Sequence, residues 1–82
     1  MNPGGTGLSG RGVVLFYTVH ALLRLEKALV GRGLTVETIP TPRHLSSDCG
    51  TALSFDLAGA AQVRAAIDEL GLEIEGIHEL EA

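Results

Sequence analysis

Two kinds of apolar spacing alternate along the first part of the chain. Residues 13–17 (VVLFY) are continuously apolar and rich in β-branched and aromatic side chains, which is typical of a central strand covered on both faces. Apolar residues then recur every three or four positions, which predicts a helix over residues 19–30. Thr18 offers an N-cap side chain, and Gly31 and Gly33 offer an end to the helix. The chain therefore begins with a strand followed by a helix.

The rest of the chain repeats these patterns. Residues 34–39 (LTVETI) and 51–57 (TALSFDL) alternate, which predicts a second strand and a half-buried third strand. Residues 60–70 return to helical spacing. Residues 72–80 (LEIEGIHEL) alternate between apolar and acidic residues until the phase slips at Gly76. This slip predicts a β-bulge, and the glutamates suit an exposed edge strand.

The order βαββαβ predicts an α+β, ferredoxin-like fold. In this fold four antiparallel strands form one sheet, and two helices cover one of its faces. We expect one domain over residues 13–82, preceded by a flexible, glycine-rich leader over residues 1–12. Because the first strand is apolar on both faces, we expect the open face of the sheet to be covered in a homodimer.

The amino-acid composition argues against a nucleic acid or a membrane as a partner. Six Lys and Arg stand against ten Asp and Glu, a formal net charge of −4 that repels a nucleic-acid backbone. With two Phe, one Tyr and no Trp, the chain has few aromatic side chains on which nucleic-acid bases could stack. No apolar run approaches the ~20 residues of a membrane span, so we expect no membrane partner. The one cysteine cannot form an intrachain disulfide, which favours a reduced, cytoplasmic setting.

The candidate chemistry lies in residues 40–50 (PTPRHLSSDCG). This stretch contains two of the three prolines and the one cysteine, Cys49. In a ferredoxin-like fold, the loop between the second and third strands shares one rim with the end of the first strand and the start of the first helix. We therefore expect Tyr17, Thr18 and His20 to approach the loop.

A thiol is nucleophilic as its thiolate, which a helix N-terminus, an arginine or a protonated histidine favours. Arg43 and His44 lie in the same loop as Cys49, whereas Asp48 acts in the opposite direction. The pattern indicates a reactive and accessible thiol. The residues expected to support it by charge, hydrogen bonds or small size are Arg43, His20, Thr18, Ser46, Ser47 and Gly50.

Two other interpretations of the cysteine stay open. A lone cysteine is often a small buried apolar residue, although the polar neighbours of Cys49 argue against burial. Cys49 with His20 and His44 could hold Zn²⁺, but their spacing matches no known zinc motif. We expect neither a metal nor another cofactor.

Three segments together resemble a known family. They are residues 16–20 (FYTVH), 25–29 (LEKAL) and 40–55 (PTPRHLSSDCGTALSF). With them the chain resembles, over nearly all of residues 13–80, the small bacterial domains described as selenium/sulfur carrier protein-like. The resemblance implies that Cys49 holds sulfur as a persulfide or selenium as a perselenide. A donor protein such as a desulfurase would supply the atom and an acceptor enzyme would collect it, so the protein would be a carrier rather than a turnover enzyme.

A second hypothesis needs no covalent chemistry. Ferredoxin-like domains of this size also act as ligand-binding or protein-interaction modules, an analogy at the level of fold alone. The Cys49→Ser substitution separates the two hypotheses, because it abolishes a carrier and leaves a binding module active.

Overall fold

Strands and helices follow one another in the predicted order. The computed structural model describes residues 10–45 and 49–80. A short 3₁₀ turn at Leu57–Gly59 precedes the second helix. The strands and helices are β1 (Arg11–Phe16), α1 (Val19–Gly31), β2 (Val36–Pro40), β3 (Thr51–Asp56), α2 (Ala60–Leu70) and β4 (Ile74–Leu80).

The four strands form one sheet in the order β2-β3-β1-β4, and every neighbouring pair is antiparallel. Both helices contribute to a single core on one face of this sheet. The α+β, ferredoxin-like prediction is confirmed. β1 and β3 are the central strands, and β2 and β4 are the edges.

Edge strand β4 contains the predicted irregularity. Leu15 of β1 pairs with Gly76, whereas the next residue, Phe16, pairs with Ile74. Glu75 is therefore the additional residue of a β-bulge beside Gly76. The break in the apolar alternation predicted the bulge correctly, because an extra residue shifts the side chains of a strand to the other face.

The main core lies between the helices and the sheet. α1 contributes residues at a spacing of three and four, and α2 contributes a second set that packs beside it. Full burial of each large apolar side chain is worth roughly 1.5–3 kcal/mol. The buried members of this core are Val14, Phe16, Leu22, Leu25, Leu29, Leu53, Phe55, Val63, Ala66 and Ile67.

Local signals place the helix ends where the sequence predicted them. The Ala21 amide donates to the Thr18 hydroxyl oxygen at 3.2 Å, so Thr18 is the N-cap of α1. Gly71 ends α2 in the left-handed conformation, with φ of 64°. α2 spans the predicted residues, and α1 extends one residue further, to Gly31.

Strand boundaries differ more from the prediction. β1 begins at Arg11 instead of residue 13, because Arg11 and Gly12 continue the pairing with β3. It ends before Tyr17, whose side chain is exposed. β2 and β4 each begin two residues later than predicted. Residues 1–9 of the expected leader lie outside the described residues.

The face of the sheet away from the helices is also buried at its centre. Val13, Leu15 and Ala52 form a second apolar cluster, and Ser54 is only 3% exposed. The prediction of a half-buried β3 was therefore wrong. β3 lies between two strands, and side chains from the neighbouring segments pack on this second cluster. These side chains are Ile39, Leu45 and Leu80.

This burial bears on the expected homodimer. The apolar centre of the second face is covered within one chain, so a sheet-to-sheet partner is not needed to bury it. A homodimer through this face stays a prediction of the sequence.

In the part of the chain that the structure describes, no helix has the length and apolar character needed to cross a membrane.

Gly12 allows the closest contact between the two central strands on the helix face. It lies opposite Phe55 in the β1–β3 pairing. A Cβ atom at Gly12 would lie 2.4 Å from Cζ of the Phe55 ring. The aromatic ring therefore occupies the space that any other side chain would need.

Gly12→Ala is expected to lower the free energy of unfolding by roughly 1–3 kcal/mol, because the new methyl group overpacks the buried Phe55 ring. Urea unfolding measures the change. Gly31→Ala is the matched control, since a Cβ there meets nothing within 4 Å and helical alanine is favoured over glycine. Equal stability of the Gly12→Ala variant and the unmodified protein would contradict the expectation.

Candidate functional site

Backbone pairing closes the base of the loop between β2 and β3. Pro40, the last residue of β2, pairs with Thr51, the first residue of β3. Beside this pair the Thr41 amide donates to the Gly50 carbonyl at 3.1 Å. The rings of Pro40 and Pro42 restrict the backbone on the β2 side. The base of the loop is therefore held in place although the loop itself is polar.

Two backbone features shape the loop above its base. The Leu45 amide donates to the Pro42 carbonyl at 3.0 Å, which forms a turn with exposed Arg43 inside it. Gly50 has a φ of +75°, a conformation that glycine adopts without steric cost. A Cβ at Gly50 would meet nothing within 4 Å, so the backbone conformation and not a lack of space favours glycine there.

Cys49 lies at the edge of the helix-side core. Its side chain is partly buried and packs against the cluster that contains Phe16 and Leu22. This position is intermediate between the two interpretations of the sequence, a fully buried apolar cysteine and an open thiol. Ser46 and Ser47, which were expected to leave space around the sulfur, lie outside the described residues.

The central strands bring the thiol and the start of α1 to the same end of the sheet. Leu15 of β1 pairs with Ala52 of β3. Three residues after Leu15 the chain reaches Thr18, and three residues before Ala52 it reaches Cys49. Since the two strands are antiparallel, these residues leave the sheet at one rim. The predicted shared rim is confirmed at the level of the backbone.

Thr18 has a defined structural function at this rim. Its hydroxyl oxygen accepts the Ala21 amide and begins α1. The first-turn amides of a helix have no preceding helical carbonyl to bond, so this end of α1 carries partial positive charge. A direct role of Thr18 toward the thiol stays a prediction.

His20 lies in a shallow cleft beside the loop. The cleft has a volume of about 250 Å³ and lies between the start of α1 and the turn after α2. Cys49 is not among its described lining residues, and the role of His20 toward the thiol stays a prediction. The lining residues are Tyr17, Thr18, His20, Ala21, Arg24, Gly71, Leu72 and Glu73.

Thr41 is a residue of the loop that the sequence prediction missed. Its hydroxyl oxygen is buried and has no hydrogen-bond partner among the described residues. A buried polar group without a partner costs about 1–3 kcal/mol and calls for an explanation. The position of a hydroxyl residue between Pro40 and Pro42 is the one signal in the sequence that could have indicated it.

A larger cleft lies at the opposite end of the sheet from Cys49. Its volume is about 420 Å³, and its polar groups include Arg11, Asp56 and Gln62. Phe55 and Val63 supply apolar parts of its lining. No motif in the sequence predicted it, because its residues come from three separate segments. Although this cleft is larger than the one beside the loop, Cys49 is not among its described lining residues.

Charged groups around the loop form no metal centre in the described part of the chain. Within residues 10–45 and 49–80, no group of three His, Cys, Asp or Glu side chains is placed to hold a metal ion. The zinc alternative with His20 and His44 therefore gains no support. Arg43 forms no ion pair among these residues, and its charge is available at the loop.

The comparison with protein families matches most of the chain. The family described as "Putative Se/S carrier protein-like" matches residues 11–79. The chain belongs to this family. Its match covers every strand and helix of the fold, except for the last residue of β4, and includes the loop that contains Cys49. Searches of curated proteins and of solved structures give no significant match.

Thr41→Val is expected to raise the free energy of unfolding by about 1 kcal/mol, because it replaces a buried, unpartnered hydroxyl by a methyl group of the same shape. Chemical denaturation measures the change. Thr41→Ser keeps the hydroxyl and removes the methyl, so we expect a loss of stability. A destabilised Thr41→Val variant would instead show that the hydroxyl has a partner in the folded protein.

Proposed function

We propose that this protein carries sulfur or selenium on Cys49, as a persulfide or a perselenide, between a donor protein and an acceptor enzyme. The observation that supports the proposal most is the position of the one cysteine. It lies in a loop closed at its base, at the edge of the core and at the rim where α1 begins. Membership of the Se/S carrier protein-like family supports the same conclusion.

The transfer step needs no oxidant or reductant from outside. The Cys49 thiolate attacks the outer sulfur of a persulfide on the donor, and a new S–S bond forms at Cys49 Sγ. The S–S bond of the donor breaks, and its electron pair leaves with the donor thiolate. The donor regains its thiolate and Cys49 holds the sulfur. With selenium the attacked atom is the outer selenium, and an S–Se bond forms and breaks in the same way.

The chain supplies several groups that suit an anionic cargo. Arg43 is exposed in the same loop and could pair with the terminal (per)sulfide charge. The partial positive charge at the start of α1 acts in the same direction. Ser46, Ser47, Gly50, Thr18 and His20 keep the supporting roles predicted from the sequence.

Partial burial of Cys49 also fits a carrier. A persulfide in open water is exposed to any thiol, whereas a sulfur at the edge of the core is protected on one side. Transfer then requires a partner that reaches the open side. We propose that donor and acceptor use the same rim in turn, in the cytoplasm, and that the chain itself performs no turnover.

Incubation with a cysteine desulfurase and cysteine is expected to add the mass of one sulfur atom to the protein. Intact-mass spectrometry without reductant measures the addition. Cys49→Ser should prevent it, because the attacking thiolate is gone, and a thiol reductant should reverse it. When the substrate cysteine is replaced by selenocysteine, an adduct with the mass of one selenium atom shows that Cys49 accepts selenium. The proposal fails if no adduct forms, or if the adduct survives in Cys49→Ser.

Arg43→Gln is expected to slow the loading of Cys49 several-fold, because it removes the one Lys or Arg charge of the loop. The rate of sulfur addition, followed by mass spectrometry, is the measurement. Arg64→Gln on α2 is the matched control, since it removes an exposed arginine away from the loop. Equal rates for the two variants would remove Arg43 from the site.

A binding module without covalent chemistry is the second candidate. The observation in its favour is the cleft of about 420 Å³ at the end of the sheet opposite Cys49, which combines charged, amide and aromatic groups. This activity would survive Cys49→Ser, whereas the carrier activity would not. The two candidates therefore give opposite results with one variant.

A further inference from the structure

The cleft of about 420 Å³ at the end of the sheet opposite Cys49 is lined by two residues of opposite charge. Arg11 is the first residue of β1 and Asp56 is the last residue of β3, and the two pair directly across the strands. Residues that lie opposite each other in an antiparallel pair project to the same face of the sheet. The guanidinium and the carboxylate therefore start from neighbouring positions at the edge of the cleft.

The two charges do not neutralise each other. Arg11 and Asp56 are both described in the structure, and no ion pair joins them. The Arg11 Nε donates to the hydroxyl of buried Ser54 at 2.9 Å. The Asp56 carboxylate is held on the other side, because its Oδ1 atom accepts the Ala58 amide at 2.9 Å in the 3₁₀ turn. Each charged side chain is therefore fixed by a separate partner.

Both charged groups keep hydrogen-bonding capacity that the described residues do not use. Arginine has five N–H donors in a planar fork, and the bond to Ser54 uses only the one on Nε. The two terminal nitrogens of Arg11 can therefore bind a carboxylate through two parallel hydrogen bonds. The second oxygen of the Asp56 carboxylate can accept a hydrogen bond from an ammonium group.

An apolar wall completes the cleft. Leu34, Phe55 and Val63 line it from the loop after α1, from β3 and from α2. Phe55 and Val63 belong to the main core, so this part of the wall is firmly packed. Small-molecule sites in proteins commonly have volumes of about 300–1,000 Å³ and combine apolar lining with a few polar groups. The cleft has this size and composition.

The pair of opposite charges selects the kind of ligand. A ligand with a carboxylate alone would bind Arg11 but bring a second negative charge beside Asp56. A ligand with an ammonium alone would bind Asp56 but face the guanidinium. Like charges placed together weaken binding. An α-amino acid has both charges on one carbon, so it can satisfy both side chains at once and place its own side chain on the apolar wall.

We propose that this cleft binds a free α-amino acid with an apolar side chain. Its carboxylate binds Arg11, its ammonium group binds Asp56, and its side chain packs against Phe55 and Val63. The inference goes beyond the carrier function and makes no use of Cys49. It assigns a ligand class to the cleft, and amino-acid binding and sulfur transfer can take place at opposite ends of the same sheet.

Isothermal titration calorimetry tests the proposal with L-leucine, L-methionine and L-phenylalanine as probes. At least one is expected to bind, and amide shifts in NMR spectra at Gly33, Gln62 and Val63 should locate it in the cleft. Two analogues of the probe that binds test the two charges. The amide lacks the carboxylate and the deaminated acid lacks the ammonium group. Each should bind about tenfold or more weakly, because it loses a charged hydrogen-bonded pair.

Substitutions test the same two contacts from the side of the protein. Asp56→Asn removes the charge but keeps an oxygen that can accept the Ala58 amide, and it should weaken binding about tenfold. Arg11→Lys keeps the charge but loses the planar fork, and it should weaken binding several-fold. Asp68→Asn is the matched control, since Asp68 is exposed on α2 and does not line this cleft. Thermal unfolding checks that every variant is folded.

The outcomes separate this inference from the carrier function. Binding should persist in Cys49→Ser, and its loss there would place the ligand at the thiol and overturn the proposal. The proposal is also wrong if none of the three probes binds at about 10 mM, a concentration that detects weak ligands. Equal affinity of the amino acid and its deaminated acid, or of Asp56→Asn and the unmodified protein, would likewise overturn it. None of these results depends on the loading of Cys49 with sulfur, so either proposal can fail alone.

Discussion

The antiparallel pairing between β1 and β3 is the constraint on which the rest of the structure depends. It places the two central strands side by side, with the Phe55 ring against Gly12, and both faces of this pair are buried. The same pairing determines what lies together outside the sheet. Because β1 leads into α1 and β3 follows the loop, Thr18 and Cys49 emerge at one rim.

The two ends of the sheet differ in structure as a result. At one end the chain concentrates backbone restraints, namely the two prolines, the Thr41–Gly50 hydrogen bond and the Thr18 cap. These restraints hold the base of a polar loop in place at the edge of the helix-side core. At the other end lies the larger cleft around Arg11 and Asp56. Cleft volume alone would direct attention to the wrong end for thiol chemistry, because a thiol that exchanges sulfur needs an accessible atom rather than a deep cavity.

The two helices differ in their charge and in the apolar side chains that they expose. The acidic residues collect on α2 and β4, whereas α1 carries Arg24 and Lys27 with one carboxylate, Glu26, and exposes Leu23 and Val30. The negative charge behind the net −4 therefore lies mostly in the second half of the chain.

The sequence by itself determined the features that depend on neighbouring residues. The apolar spacing and Gly71 gave both ends of α2, Thr18 gave the start of α1, and the break at Gly76 gave the bulge, since capping, left-handed turns and side-chain alternation are local. The βαββαβ order was sufficient for the ferredoxin-like fold, and the loop composition was sufficient to single out Cys49.

Only the tertiary structure decided the features that depend on packing between distant segments. β3 was expected to be half-buried, yet Ser54 is also buried, because β3 lies between β1 and β2 and the Arg11 side chain donates to the Ser54 hydroxyl. Cys49 is partly buried because it packs against the helix-side core, whose residues come from segments far away in the sequence. His20 lines a shallow cleft together with Gly71 and Leu72, which are some fifty residues away in the sequence. Such contacts join segments that no local pattern relates, so the fold was predictable from the sequence and the surroundings of the thiol were not.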